Sequence, residues 1–281
     1  SVGGVKVGFS DEGHLRLSLR EIFSFLEKTK RPNLIVFDEF QQIQYYPERM
    51  AAILRSHIQQ MNNSRFIFSG SSRHILNSMF ESSNEPFYKS ASAFDLDVIS
   101  LDSYVDFCRT MFERFGKGID ADAVRKIYYL FVGNTYDMQQ VMRGVFASTP
   151  SGAEANFNDA LQVVDEILTE RDNDFRSILN RLDNKKERNT LFCIAAEGLA
   201  SGLTSNSMMK RYDLDNASSV QNALRNLCDE KHNLVVKLDR SYYKLQDKFM
   251  ELWYARKCGF FEAKISNARI LFEKERDLLS S

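Results

Sequence analysis

Residues 34–40 read Leu-Ile-Val-Phe-Asp-Glu-Phe, four apolar residues in a row followed by two adjacent carboxylates. An uninterrupted apolar run this short suits a strand buried on both faces of a parallel sheet, and such sheets present their working residues at the carboxyl ends of their strands. Asp38 and Glu39 are expected there. The same residues also fit a strand that simply ends in a solvated turn, so the flanking sequence has to decide between the two readings.

Upstream, Leu19, Ile22, Phe23 and Leu26 recur at helical spacing between Ser18 and Lys30, with Glu21 near the start and Lys28, Lys30 and Arg31 near the end, as the helix dipole favours. Pro32 stops that helix. Downstream, Arg49 to Met61 reads as a second helix and Arg65 to Phe68 as a second short apolar strand, followed by Ser69-Gly70-Ser71-Ser72. Helix, turn, strand, helix, strand is the pattern of a right-handed crossover between parallel strands. Ser71 or Ser72 also suits the N-cap of a helix over 75–80. Glu85-Pro86-Phe87-Tyr88-Lys89 follows, then residues 93–99, which read as a third strand.

Composition sets the outer limits. With 281 residues, 43% of them hydrophobic and 27% charged, the chain is long enough for one large domain or two ordinary ones around a packed core. A formal net charge of -1 carries no global footprint for nucleic acid or anionic membrane. Cys108, Cys193, Cys228 and Cys258 are far apart with no CxxC pair, which points to reduced thiols and away from a zinc site or a disulfide framework. No cationic leader is present, and no apolar run approaches the roughly 18 residues of a membrane span. A cytoplasmic protein is expected.

The order helix, LIVFDEF, helix, FIFSGSS, EPFYK and strand resembles the AAA+/STAND-like ATPases of archaea and bacteria, over roughly residues 18 to 256. The resemblance implies an α/β fold: a parallel three-layer P-loop NTPase core, here incomplete at its N-terminal side, with a helical lid and a C-terminal winged helix. It implies ATP and Mg²⁺ as ligands. Asp38, in the Walker B position, would hold Mg²⁺ through water, Glu39 would orient the attacking water, and Ser69 or Ser71 would sense phosphate. Lys89 stands where many relatives carry an arginine. Gly133-Asn134-Thr135-Tyr136 matches the turn that in relatives approaches the nucleotide base, so Gly133 and Thr135 join the cofactor-binding set. The same residues also read as a helix C-cap glycine followed by a threonine N-cap.

One part of the pattern is missing. A phosphate loop needs GxxxxGK[ST], because consecutive backbone N–H groups cradle the phosphates while the lysine reaches the outer ones. Nothing in the sequence matches it, and Gly116-Lys117 reads as a turn. The chain is therefore expected neither to bind ATP tightly nor to hydrolyse it by itself, whether the loop was lost by truncation or in evolution.

The remaining chain divides by its pattern into a partial core at 1–100, a helical lid at 101–150, a connecting helix at 151–186, a winged helix at 187–256 and a helical extension at 257–281. Residues 157–183 read as one long amphipathic helix. In the winged helix, helices over 190–197, 205–212 and 218–230 precede a hairpin of 234–238 and 242–245. Arg225 on the third helix and Arg240 in the wing are the residues placed for DNA contacts, with Lys210 and Arg211 as further cations. The module is close to neutral overall, which favours a protein partner over DNA. Glu262-Ala263-Lys264 mimics half of a nuclease metal motif and is read as an exposed helix face.

Overall fold

The computed structural model describes residues 12–46, 49–70, 73–94, 96–182, 184–229, 232–238 and 241–280, with the side chains of 12–18, 73–74 and 280 aside. It is a mostly helical α/β structure with small sheets, in two compact units, 1–96 and 97–281. Among the described residues no helix is long and apolar enough to cross a membrane.

In the first unit the order is α1 (Glu12–Glu27), β1 (Asn33–Phe37), a 3₁₀ turn (Phe40–Tyr45), α2 (Arg49–Gln60), β2 (Ser64–Phe68) and α3 (Arg73–Glu81). β1 and β2 pair in parallel, with Phe37 opposite Phe68. Paired residues share a face, so Ile35, Phe37, Phe66 and Phe68 point one way, toward a cluster with Phe23, Phe40, Leu54, Ile58, Met79 and Phe87. The other face carries Leu34, Val36 and Ile67, which are 66%, 55% and 48% exposed. The apolar run is thus half-buried on one face and bare on the other among the described residues. Residues 93–99 form no strand where they are described: Phe94 and Leu96 are 85% and 88% exposed, and an extended segment without a ladder partner has nothing to bury them against.

The second unit begins with α4 (Leu101–Arg114), β3 (Gly118–Ile119), α5 (Ala121–Leu130) and α6 (Thr135–Ser148), and continues with β4 (Glu154–Ala155), α7 (Phe157–Glu170) and α8 (Asp172–Asn180). The single helix expected over 157–183 is two helices that meet at Arg171. Asp172 explains the break: its carboxylate accepts from Trp253 Nε1 at 2.8 Å and Arg176 Nε at 2.7 Å, and pairs with Lys257 Nζ at 2.8 Å. These donors, Lys257 foremost, hold its pKa well below the usual carboxylate range.

Then come α9 (Lys185–Glu197), β5 (Ala200–Ser201), α10 (Asn206–Arg211), α11 (Ala217–Cys228), β6 (Val235–Lys237), β7 (Tyr242–Leu245), α12 (Lys248–Cys258) and α13 (Phe261–Ser280). The hairpin β6–β7 gains β5 as a third strand, in the order β5-β7-β6. One cluster of buried side chains runs from Tyr104 to Ala268, with Phe131 packed on Phe249 at 4.8 Å and Phe175 on Trp253 at 5.7 Å. β3 and β4 pair in parallel, joined through α5 and α6, with the Pro150-Ser151-Gly152 turn leading into β4.

Lys264 corrects one expectation. It is 5% exposed, and its ammonium lies 2.8 Å from the buried Glu251, which also takes Lys248 at 2.9 Å. Only Glu262 and Ala263 of that triplet are exposed. All four cysteines are free thiols, Cys108 and Cys193 buried and Cys258 exposed.

Candidate functional site

The carboxyl ends of β1 and β2 bring Asp38, Glu39 and Ser69 together. The parallel ladder continues past both strands: Ser69 N–H donates to Phe37 C=O at 2.8 Å, and Phe40 N–H donates to Ser69 C=O at 2.9 Å. This fixes the two strand ends side by side. Ser69 Oγ then donates to Asp38 Oδ1 at 2.8 Å, and the Glu39 N–H donates to the same oxygen at 3.0 Å. Glu39 itself adopts a left-handed backbone, φ 50°, that ends the strand abruptly and starts the 3₁₀ turn.

Two residues that the sequence did not single out complete this arrangement. The buried Gln41 donates its carboxamide Nε2 to Glu39 Oε2, which fixes the Glu39 side chain. Gly70 makes room for that carboxamide, since a Cβ on Gly70 would stand 2.0 Å from Gln41 Oε1. A glycine held between serines at a strand end was the available signal. Beneath the site lies an aromatic floor: Phe40 meets Phe68 at 4.6 Å and Phe87 at 5.1 Å, and Phe37 stacks on Phe68 at 5.6 Å. Rigid packing of this kind holds loop carboxylates in place.

The other expected site residues are placed differently. Ser71 lies outside the described residues. Lys89, at φ 51°, donates its N–H to Phe80 C=O at 2.8 Å and lays its ammonium 5.1 Å above the Tyr88 ring. Gly133 and Thr135 belong to the second unit. Gly133, at φ 71°, closes α5 by donating to Tyr128 C=O, and a Cβ there would meet the Tyr128 hydroxyl at 3.2 Å. The N-cap of α6 is Asn134, which accepts from the N–H groups of Tyr136 and Asp137, so Thr135 is the first residue inside the helix and not its cap.

Hard oxygen donors such as Asp38 and Ser69 suit Mg²⁺, which is ordinarily held by one or two carboxylates together with substrate phosphates. Among the described residues no group of three or more His, Cys, Asp or Glu could hold a metal ion without such help. In the second unit, Arg225 is exposed in the last turn of α11, on a helix that also exposes Ser218, Gln221 and Asn222. Arg240 lies outside the described residues. Of the neighbouring cations, Lys185 pairs with Asp213, Lys186 with Asp215, Arg211 with Glu197 and Lys244 with Glu275.

The comparisons with known proteins agree with this geometry at the level of fold. Residues 173–256 match the model of a probable winged helix domain. A search of the curated proteins finds no match. Among solved structures, a Walker-type ATPase of Pyrococcus abyssi aligns with a TM-score of 0.58 at 16% identity, covering 85% of this chain and 67% of that one. The DNA clamp loader delta protein of Bacillus subtilis aligns with a TM-score of 0.22 at 14% identity, over 95% of this chain and 92% of that one, too low a score to define a common fold. The chain therefore resembles that ATPase in fold over most of its length, and residues 173–256 match a probable winged helix domain.

Proposed function

We propose that this chain carries the carboxylate and hydroxyl half of the nucleotide site of an AAA+/STAND-like ATPase of prokaryotic type. The observation that carries the reading is the junction of Asp38, Glu39 and Ser69 at two adjacent parallel strand ends, in a chain whose fold is that of a Walker-type ATPase. Asp38 is the Walker B aspartate. Both donors to it fall on Oδ1, and Asp38 would hold Mg²⁺ through water by its other oxygen. Bound Mg²⁺ would neutralise charge on the phosphates. Glu39, steadied by Gln41, orients the attacking water, and Ser69 keeps Asp38 aligned while Ser71 senses phosphate. Lys89, Gly133 and Thr135 are secondary candidates for nucleotide contacts.

The bare face of Leu34, Val36 and Ile67 supports a three-layer core completed by residues other than those described, because parallel sheets are normally covered on both sides. The remaining regions serve as a lid at 101–150, a connection at 151–186, a winged helix at 187–256 and an extension at 257–281. A cytoplasmic protein partner suits the winged helix better than duplex DNA, since several of its cations are paired with carboxylates and the module is close to neutral.

A second reading, a non-catalytic scaffold that presents the winged helix to a protein or to DNA, draws support from the missing GxxxxGK[ST]. Calorimetry with Mg-ATP tests the half-site: the 281-residue chain is expected to show no binding at micromolar concentrations, and micromolar affinity would contradict the assignment of the phosphate grip to a segment this sequence lacks.

A further inference from the structure

Two adjacent residues near the end of α13 hold two different parts of the second unit. Glu275, which is buried, pairs with Lys244 of β7. Arg276 grips Asp97 with both terminal nitrogens, at 2.5 Å each. Along β7 the side chains alternate: Tyr243 and Leu245 join the core, while Tyr242 and Lys244 lie on the other face. That outer face is where α13 lies, with Lys274 Nζ 5.1 Å from the Tyr242 ring and Glu275 on Lys244. Asp97, for its part, is the first residue of the second unit. Two residues further on, Ile99 C=O accepts from the Tyr128 hydroxyl at 2.7 Å, and the Tyr128 ring packs on Phe272 of α13 at 5.4 Å.

We propose that the last two turns of α13 are a latch that ties segment 97–99 to the wing strand β7, so that loosening either grip loosens the other. Consecutive residues on one helical turn cannot be lifted separately, because the helix end frays or stays as a unit. Beyond Phe272 the helix is held by two ion pairs, Arg276–Asp97 largely exposed on its Asp97 side and Glu275–Lys244 more buried, with Leu279 about half exposed. A helix terminus held by so few contacts opens locally before the core does. Opening bares Tyr242 and Lys244, an aromatic and basic face suited to an anionic partner, and the coupling is reciprocal as linkage requires. The proposal goes beyond the nucleotide site and does not depend on it.

The test is acetylation of Lys244 by an amine-reactive reagent, read by mass spectrometry on the full chain. Arg276→Gln and Asp97→Asn leave the Lys244 and Glu275 side chains themselves unchanged, and each is expected to raise the labelling rate of Lys244 several-fold while the buried Lys264 stays unreactive. Glu275→Gln is expected to speed hydrogen exchange at 97–99. An unchanged Lys244 rate in both remote variants, or unchanged exchange at 97–99 in Glu275→Gln, overturns the latch. A general rise that includes Lys264 means unfolding of the unit and also counts against it.

Discussion

Ser69 donates its hydroxyl to Asp38 Oδ1 at 2.8 Å from the neighbouring parallel strand, across a sequence separation of 31 residues. The bond exists because backbone pairing continues past both strand ends, Ser69 N–H donating to Phe37 C=O and Phe40 N–H donating to Ser69 C=O, and it makes the two strand ends one site.

The close approach of Gly70 to Gln41 predicts that Gly70→Ala is disruptive although both residues are small or polar. The added Cβ displaces the Gln41 carboxamide from a buried position and releases Glu39. A cost of about 1–3 kcal/mol is expected, as for other overpacked sites. Urea unfolding followed by circular dichroism reads it, and Trp253, the only tryptophan, reports the second unit separately by fluorescence. An early loss of dichroism with an unmoved tryptophan transition is the expected result. Wild-type behaviour in both signals would show that Gln41 has room to move.

Asp137 gives the second unit a pH dependence. Burial raises its carboxyl from the ordinary 3.8 to about 6, Asp247 adding to the rise while Arg171 and Lys248 oppose it. The folded state therefore binds more protons than the unfolded state between these values. The stability from this group is fully present below the unfolded pKa and is lost as pH rises through about 6. Asp137→Asn is expected to be more stable than wild type at pH 8, by up to about 2 kcal/mol, with the gap closing toward pH 4. Denaturation midpoints at the two pH values check it, and a gap independent of pH would refute the cause.

The buried triad of Lys248, Glu251 and Lys264 predicts unequal costs for its members. Burial alone would raise the Glu251 carboxyl, but Lys248 and Lys264 together hold it below its ordinary value. Glu251→Gln leaves two ammonium groups facing each other with no carboxylate between them, and a loss of about 3–5 kcal/mol is expected. Lys264→Met leaves Glu251 with Lys248 and should cost clearly less. Equal losses would show that the second lysine does not compensate.

What the sequence made legible was local. LIVFDEF and FIFSGSS announce two strands and the polar residues at their ends within a few residues each, and the wing hairpin carries its turn chemistry between its strands. The features that escaped depend on distant partners. The break at Arg171 is set by Trp253 and Lys257, far along the chain, and Lys264 is buried by a glutamate on another helix. The two-residue strands β3, β4 and β5 are too short to carry a period, and tertiary contact alone defines them. Residues 93–99 show the converse: apolar enough for a strand, they form none where they are described, without a partner ladder. Gln41 gives no local sign of its role, which rests on Gly70 from the neighbouring strand end.

If Glu39 positions water at a nucleotide site, steady-state Mg-ATP hydrolysis by the full-length gene product depends on its carboxylate. Glu39→Gln is expected to keep nucleotide binding while turnover falls by roughly 100-fold or more relative to wild type. Equal turnover in the two proteins, or no nucleotide binding by either, would contradict it.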